Sequence, residues 1–431
     1  MTSIGESLAR IAARVEFFGP TLSIPNLSMN ERGGGETITK RVVGKARKST
    51  FLRVAGLSYK MAIEERRIQR AVTPIERGAV IVADDRRVSP DLIAVSVARR
   101  RGLASVVAPF AISSPEANLF MRQRSNVAVK GPRTSRQIET LIERAWPGQV
   151  LQSPHGERSL FYSAWDTVAI AAFGLLPKNP WVMGGSGVDL VCALGGDHRD
   201  YLLAGGISEK NIAVTGQPST DQLALPPERV DRLRSEYTKR YGFVDRRPIA
   251  VCAVPQFAEH GIVSWQQHSS VISRLFSALS EAPVSVLLSL HPRSDRASYI
   301  DAARRFGLAI AEERIIDLLP VADIFVATYS STVRWAVGLG IPAFVVDPIG
   351  LNYTLYDKLP GVSIFKSLSQ LTVSLKEFSG EQMYRHSLEA AAQRGASCVG
   401  RIDGQAGERF SSAVQEVIER KYECGQFGKS S

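Results

Sequence analysis

Histidine and cysteine are scarce in this chain, with six His and four Cys among 431 residues. The cysteines (Cys192, Cys252, Cys398, Cys424) stand far apart without paired spacing, which argues against a zinc site or a disulfide framework and fits a reducing compartment. No run of about eighteen apolar residues occurs, so no segment reads as a membrane span. Met1–Ser7 lacks the basic-then-apolar order of a signal peptide, and the expectation is a cytoplasmic protein. Internal repeats and low-complexity tracts are missing too.

What remains is the composition of a folded enzyme-sized chain. A 44% hydrophobic share against 22% charged residues excludes intrinsic disorder, and the length implies more than one core. The net charge of +11 is unevenly placed: Lys40–Arg101 holds sixteen Lys/Arg against six Asp/Glu, and the remainder is nearly neutral. Such a surface attracts anions, whether phosphates, an acidic bilayer or nucleic acid. No aromatic RNA-binding strand, zinc finger or basic zipper accompanies it, so nucleic acid ranks last. A solvated helix face explains the charge equally well.

Residues 1–40 read as a weakly ordered arm and 45–72 as a basic amphipathic helix, with Phe51, Val54, Ala55, Tyr59 and Ala62 near one face. Short apolar runs then alternate with helical patterns. The expected strands are 78–83, 103–107, 126–129, 149–152, 188–194 and 211–215, and, after a connector at 242–248, 249–254, 284–290, 324–327 and 343–346. Helices are expected at 135–145, 198–204, 226–241, 269–280, 298–306, 332–338, 381–394 and 405–421, with Ser89-Pro90-Asp91 opening another. This rhythm implies parallel sheets covered on both faces. The fold class is therefore α/β, with two facing Rossmann-like domains. The expected divisions are a basic extension (1–75), an N-terminal domain (76–242), a C-terminal domain (243–400) and a closing helix and tail (401–431).

Ligands of such sheets sit beyond the carboxyl ends of the strands. Four groups of residues occupy those places. His291 and Arg293 follow the strand ending at Leu290, and both suit phosphate oxygens. Tyr329, Ser330, Ser331 and Thr332 stand between a strand and a helix, where hydroxyls and free amides favour an anion and where Ser or Thr also serves as a plain cap. His155, after strand 149–152, has the chemistry of a general base; a structural histidine is the alternative. Gly216 closes the last strand of the first domain, and Asp221 braces the turn beyond it.

Asp84-Asp85-Arg86-Arg87 follows strand 78–83; Asp84 can act as a base, and a salt-bridged loop is the alternative. Gly184-Gly185-Ser186-Gly187 precedes a strand and is no dinucleotide fingerprint. Glu259-His260 reads as a rim loop or a donor-sugar contact, Trp181 as a core residue, and His198, His268 and His386 as surface or helix residues.

In order, these pieces resemble the CDP-glycerol glycerophosphotransferases and related capsule-type GT-B enzymes, and more distantly the UDP-GlcNAc 2-epimerases and the bacterial sialyltransferases. The motifs that carry the resemblance are His155-Gly156, Thr215-Gly216-Gln217-Pro218 with Asp221, His291-Pro292, Tyr329-Ser330-Ser331 with Gly340-Ile341-Pro342, and Asp403-Gly404 with Arg409. It spans about residues 78–421. The resemblance implies a GT-B fold whose C-terminal helix returns toward the first domain. It implies a nucleotide-activated donor (CDP-, CMP- or UDP-linked) as substrate and no separate cofactor; no D-x-D triad or His cluster sits at a strand end, so no metal is expected. Donor phosphates would meet His291, Arg293, Tyr329, Ser330, Ser331, Thr332 and Gly216, and His155 would assist the acceptor. The acceptor would be a glycan or a lipid-linked molecule, with helix 45–72 resting on an anionic membrane. The chain departs from the family at Pro154, Glu157-Arg158 and Thr328, and Ala108-Pro109-Phe110-Ala111 lacks the His-x-Glu pattern of the epimerases. An epimerase or hydrolase, and an inactive nucleotide- or glycan-binding scaffold, are the alternatives.

Overall fold

The computed structural model describes residues 50–109, 111–112, 118–119, 133–152, 158–244, 246–352 and 354–427. The chain divides into two compact units. One takes the chain up to Leu194, His198–Gln217 and the chain from Gly407; the other takes Gly195–Asp197 and Pro218–Ala406.

The first unit is built on a parallel sheet of order β1-β2-β5-β6, from Ala79–Val82 (β1), Ala104–Val107 (β2), Leu190–Ala193 (β5) and Ile212–Val214 (β6). Val107 pairs with Val191 and Ala193 with Val214, so the expected strands 78–83, 103–107, 188–194 and 211–215 lie side by side. Their side chains alternate between two faces, as the pleat requires. Val107, Val191 and Ala193 pack with helices α1 (Thr50–Val72) and α2 (Pro90–Arg101). Val106, Leu190 and Cys192 pack against Phe410, Val414 and Val417 of the C-terminal helix (Ala406–Phe427). That helix belongs with the first unit, as the resemblance implied. Trp181 is 2% exposed, a core residue as read from sequence.

Two expectations need correction here. Val150–Gln152 (β3) is not a strand of the parallel sheet: it pairs antiparallel with Arg158–Leu160 (β4) in a separate hairpin. A three-residue run carries no signal for the direction of its partner. In α1 the buried stripe is Met61, Ile68 and Val72, while Tyr59 points outward at 69% exposure. The helix is apolar on more than one side, and the periodicity of the shorter residues selected the wrong one. The strand expected at 126–129 lies outside the described residues. Helices α3 (Arg133–Ala145), α4 (Ala164–Ala172) and α5 (Gly196–Ala204) complete this part of the chain; α4 had no counterpart in the sequence reading.

The second unit begins with α6 (Pro227–Tyr241) and holds a six-stranded parallel sheet of order β12-β11-β10-β7-β8-β9. Its strands are Ile249–Ala253 (β7), Ser285–Ser289 (β8), Ala309–Ile310 (β9), Ile324–Ala327 (β10), Ala343–Val346 (β11) and Val362–Phe365 (β12). Alternation again divides them: Val251, Leu287 and Phe325 enter one core, and Cys252, Leu288, Val326 and Phe344 the other. Helix α7 (Trp265–Ser280) starts earlier than expected because Ser264 and Gln267 form a reciprocal capping box. Helices α8 (Ala297–Arg305) and α9 (Val333–Gly338) match the expected positions, α11 (Gln382–Val399) runs on past Arg394, and β9, β12 and α10 (Leu368–Gly380) are new. No described helix is long and apolar enough to cross a membrane.

Candidate functional site

In the second unit the chain leaves β7 toward β8 and β9, then returns to lay β10, β11 and β12 on the other side. The direction reverses between β7 and β10, and a crevice opens at such a switch point beyond the strand ends. The residues after β7, β8 and β10 therefore converge there.

After β7, Phe257 is fully buried and its ring stacks on Tyr329 from the β10 end, with centroids 5.9 Å apart at 26°. This brings His260 to the same place: its Nδ1 is 3.5 Å from the Tyr329 hydroxyl. Behind them lies a hydrogen-bonded chain. Tyr299 on α8 donates its hydroxyl proton to Glu259 Oε1 at 2.8 Å, and its oxygen is 2.9 Å from His268 Nε2 on α7. Ser294 donates to the same Glu259 oxygen at 3.2 Å, and Gln256 donates to Ser294 at 3.1 Å. Burial pushes Glu259 up, but the backbone amide, Tyr299, the nearby His268 and Ser294 outweigh it and leave the carboxylate below its ordinary range. Burial, partly opposed by Glu259, holds His268 below the usual imidazole value.

At the β8 end the backbone N–H of Arg293 donates to His291 Nδ1 at 3.1 Å. Burial first, then Arg293 and His260, depress the His291 pKa against the pull of Glu259. A neutral ring whose Nδ1 accepts must carry its proton on Nε2. At the β10 end, Ser330 Oγ and Thr332 Oγ1 are 2.7 Å apart, the Thr332 amide donates to Ser330 Oγ at 3.3 Å, and Tyr356 donates to the Ser330 carbonyl at 2.5 Å. Ser331 is exposed. Of the residues expected to meet a donor, His291, Arg293, Tyr329, Ser330, Ser331 and Thr332 thus stand beyond the ends of β8 and β10, the two strands that flank β7 in one sheet.

The others do not. Gly216 belongs to the first unit, where its amide donates to the Ala193 carbonyl at 3.2 Å and its φ of 77° turns the chain after β6. His155 lies outside the described residues. Asp84 is held by Arg86, whose Nε and Nη2 donate to its two oxygens at 2.8 and 2.9 Å. Burial raises the Asp84 pKa, but the paired guanidinium wins and the carboxylate stays below its ordinary range. Asp85, fully buried, accepts from the Gly184 and Ser186 amides and the Ser186 hydroxyl and holds that glycine-rich loop in shape. The salt-bridged loop is what the structure shows at this strand end. His198 and His268, expected on surfaces or in helices, are 1% and 2% exposed. Among the described residues no group of three or more His, Cys, Asp and Glu could hold a metal ion.

From sequence, Glu259-His260 read as a rim loop or a donor-sugar contact, and Phe257 carried no reading of its own. Their importance comes from the strand order, which places their loop at the reversal; the available signal was only their position after a strand.

No family model matches the chain, and no curated protein matches it. Solved structures do. A UDP co-structure of MnaA from S. aureus is similar over 84% of this chain and 82% of that one, at 12% identity and a TM-score of 0.50. A putative UDP-N-acetylglucosamine 2-epimerase from Listeria monocytogenes is similar over 84% and 81%, at 14% identity and a TM-score of 0.50. The fold is of the GT-B type. A structure of the wall teichoic acid polymerase TagF with CDPG also matches, over 55% of this chain and 57% of that one, at 16% identity and a TM-score of 0.38. Both units of the GT-B arrangement are thus present as Rossmann-like parallel sheets, and at these identities the likeness describes the fold.

Proposed function

We propose that the chain is a GT-B transferase that moves a sugar or polyol-phosphate group from a CDP-, CMP- or UDP-linked donor to a glycan or lipid-linked acceptor in surface-polysaccharide assembly. The observation that carries this reading is the convergence of His260, His291, Arg293 and Tyr329 at the switch point of the second sheet. There the Nε2–H of a neutral His291 and the guanidinium of Arg293 suit the phosphate oxygens of a donor, and hydroxyls of Tyr329 and Ser331 supply further donors. When the acceptor oxygen attacks the transferred group, the bond to the nucleotide oxygen breaks and that oxygen leaves with the electron pair. The same His291 and Arg293 donors then stabilise the growing negative charge. The acceptor's proton passes to His155, a role that rests on the family resemblance alone.

A ligand-shift screen with UDP-, CDP- and CMP-linked compounds tests the donor site. His291→Ala and Arg293→Ala are expected to weaken the best ligand at least tenfold; unchanged binding in both removes the assignment. A second reading, a sugar-nucleotide 2-epimerase or hydrolase, draws support from the similar putative 2-epimerase. It requires turnover of the donor with no acceptor present, whereas the transferase requires both substrates. A chain that binds the donor yet turns over neither is a scaffold.

A further inference from the structure

β7 is the middle of the three strands whose ends form the proposed donor site, with β10 on one side and β8 on the other. The residues offered to phosphate stand after the outer two: His291 and Arg293 beyond β8, Tyr329 and Ser331 beyond β10. The loop after β7 lies between them and is attached to both. On the β10 side the attachment is aromatic. Phe257, fully buried, stacks on Tyr329, and His260 Nδ1 is 3.5 Å from the Tyr329 hydroxyl.

On the β8 side the attachment is polar and centred on one atom. Glu259 Oε1 accepts from Tyr299 at 2.8 Å and from Ser294 at 3.2 Å, and Ser294 accepts from Gln256 at 3.1 Å. Ser294 directly follows Arg293, and its amide donates to the His291 carbonyl at 2.9 Å. The loop after β7 is itself closed by the His260 amide on the Gln256 carbonyl at 3.1 Å. Two tight turns, 256–260 and 291–294, are thus joined side chain to side chain, with a carboxylate as the joint.

A carboxylate beside an anion site carries a cost, since its charge repels phosphate. Burial, Arg293 and His260 lower the His291 pKa, and Glu259 is the group that opposes them, so its charge does reach that ring. In return, hydrogen bonds to an ionised oxygen are about twice as strong as neutral ones, and Tyr299 and Ser294 both direct theirs at Oε1. Oε2 is buried with no hydrogen-bond partner, 3.9 Å from His268 Nε2.

We propose that Glu259 is a positioning residue: it locks the loop after β7 to the turn after β8 and so sets the spacing at which His291 and Arg293 face Tyr329 and Ser331 across a donor phosphate. A preformed lock spares the ligand the ordering of two loops as it binds. The role rests on the donor-site reading, and it differs from a sugar contact, because one carboxylate oxygen is already filled and the other is buried.

Charge and lock predict opposite signs. If Glu259 acted through charge alone, its removal would tighten phosphate binding; as a lock, its truncation weakens it. Titration calorimetry of the full chain with UDP, CDP and CMP reads the difference on whichever binds best. Glu259→Ala is expected to weaken that ligand about tenfold, the worth of one hydrogen bond to a charged group. Glu259→Gln keeps an oxygen for Tyr299 and Ser294 and gives up only the unbonded Oε2, so it is expected to recover to within about threefold of wild type. Ser294→Ala opens the same joint from the other turn and is expected to cost about fivefold; added to Glu259→Ala it is expected to cost less than about twofold more. Tyr299→Phe, expected to weaken binding about fivefold, replaces Glu259→Ala if that variant does not fold, which thermal unfolding reveals. His291→Ala is the reference. If it binds as wild type, the donor site falls and the lock with it. If it weakens binding while Glu259→Ala, or Tyr299→Phe in its place, and Ser294→Ala do not, the donor site stands and the lock is refuted. Tighter binding by Glu259→Ala, or full additivity of its loss with that of Ser294→Ala, refutes the lock as well.

Discussion

The Arg293 backbone amide donates to His291 Nδ1 at 3.1 Å, and this one bond decides which nitrogen of the ring is free to act. With Nδ1 accepting, Nε2 carries the proton of the neutral imidazole. The two nitrogens can be separated by substitution. Glutamine places an N–H near Nε2, whereas asparagine places an acceptor near Nδ1 and nothing beyond it. His291→Gln is expected to bind the donor within about threefold of wild type, and His291→Asn to lose about tenfold or more, the worth of one hydrogen bond to a charged group. Titration calorimetry with the ligand found by screening measures both.

Two imidazoles in the second unit, His268 and His291, have depressed folded pKa values, chiefly through burial. Their unfolded value is about 6.5, so the unfolded chain takes up protons first as pH falls. The stability they contribute is fully present above about pH 6.5 and is lost as pH falls through the lower folded values. Urea unfolding of the ligand-free protein is therefore expected to shift to lower midpoints as the pH falls below about 6.5. His291→Gln, which cannot titrate, is expected to flatten part of that slope. An unchanged slope contradicts it.

Much of the fold was legible because buried parallel strands announce themselves: 249–254, 284–290, 324–327 and 343–346 are apolar on both faces, and each lies in the sheet. Strand direction was not legible, so Val150–Gln152 was placed in the wrong sheet. The short edge strand β12 and helix α10 follow Gly361 and Ser367 without a long apolar run to mark them. In the candidate site, His291 and Tyr329–Thr332 stand out in sequence because proline or a helix start follows the strand. Glu259-His260 read from sequence as a rim loop or a donor-sugar contact, and only the β7–β10 order sets that loop beside Tyr329. His268, read as a surface or helix residue, does lie in α7, but its burial beside Tyr299 is visible only in the fold.

Gly395 lies inside α11, where alanine ordinarily gains about 1 kcal/mol over glycine. A Cβ added there would stand 2.1 Å from the Pro360 carbonyl oxygen and 2.7 Å from a Val337 methyl. The first obstacle is backbone and cannot swing aside. Gly395→Ala is expected to destabilise the protein by about 2 kcal/mol, the reverse of the propensity rule. Gly380, at the end of α10, meets nothing within 4 Å and makes the comparison. Denaturant midpoints of the two variants are expected to move apart, and a stabilised Gly395→Ala contradicts the close approach.

Asp84 separates a structural role from a catalytic one. Its two oxygens are filled by Arg86, whose side chain is 4% exposed, and the pairing keeps the carboxylate ionised below its ordinary range. A base must release such a partner before it can accept a proton, and releasing it strands a buried guanidinium. Asp84→Asn keeps the shape but removes the charge, and is expected to cost about 3 kcal/mol of stability. The contribution depends on ionised Asp84, so it is present above the unfolded pKa near 3.9 and disappears as pH falls through the depressed folded value. Donor binding is expected to stay within about twofold of wild type at a temperature where the variant is folded, because this pair belongs to the first unit's framework. A variant of undiminished stability that has lost acceptor-dependent turnover returns Asp84 to the chemistry; a less stable one that retains turnover per folded molecule fixes it as a brace.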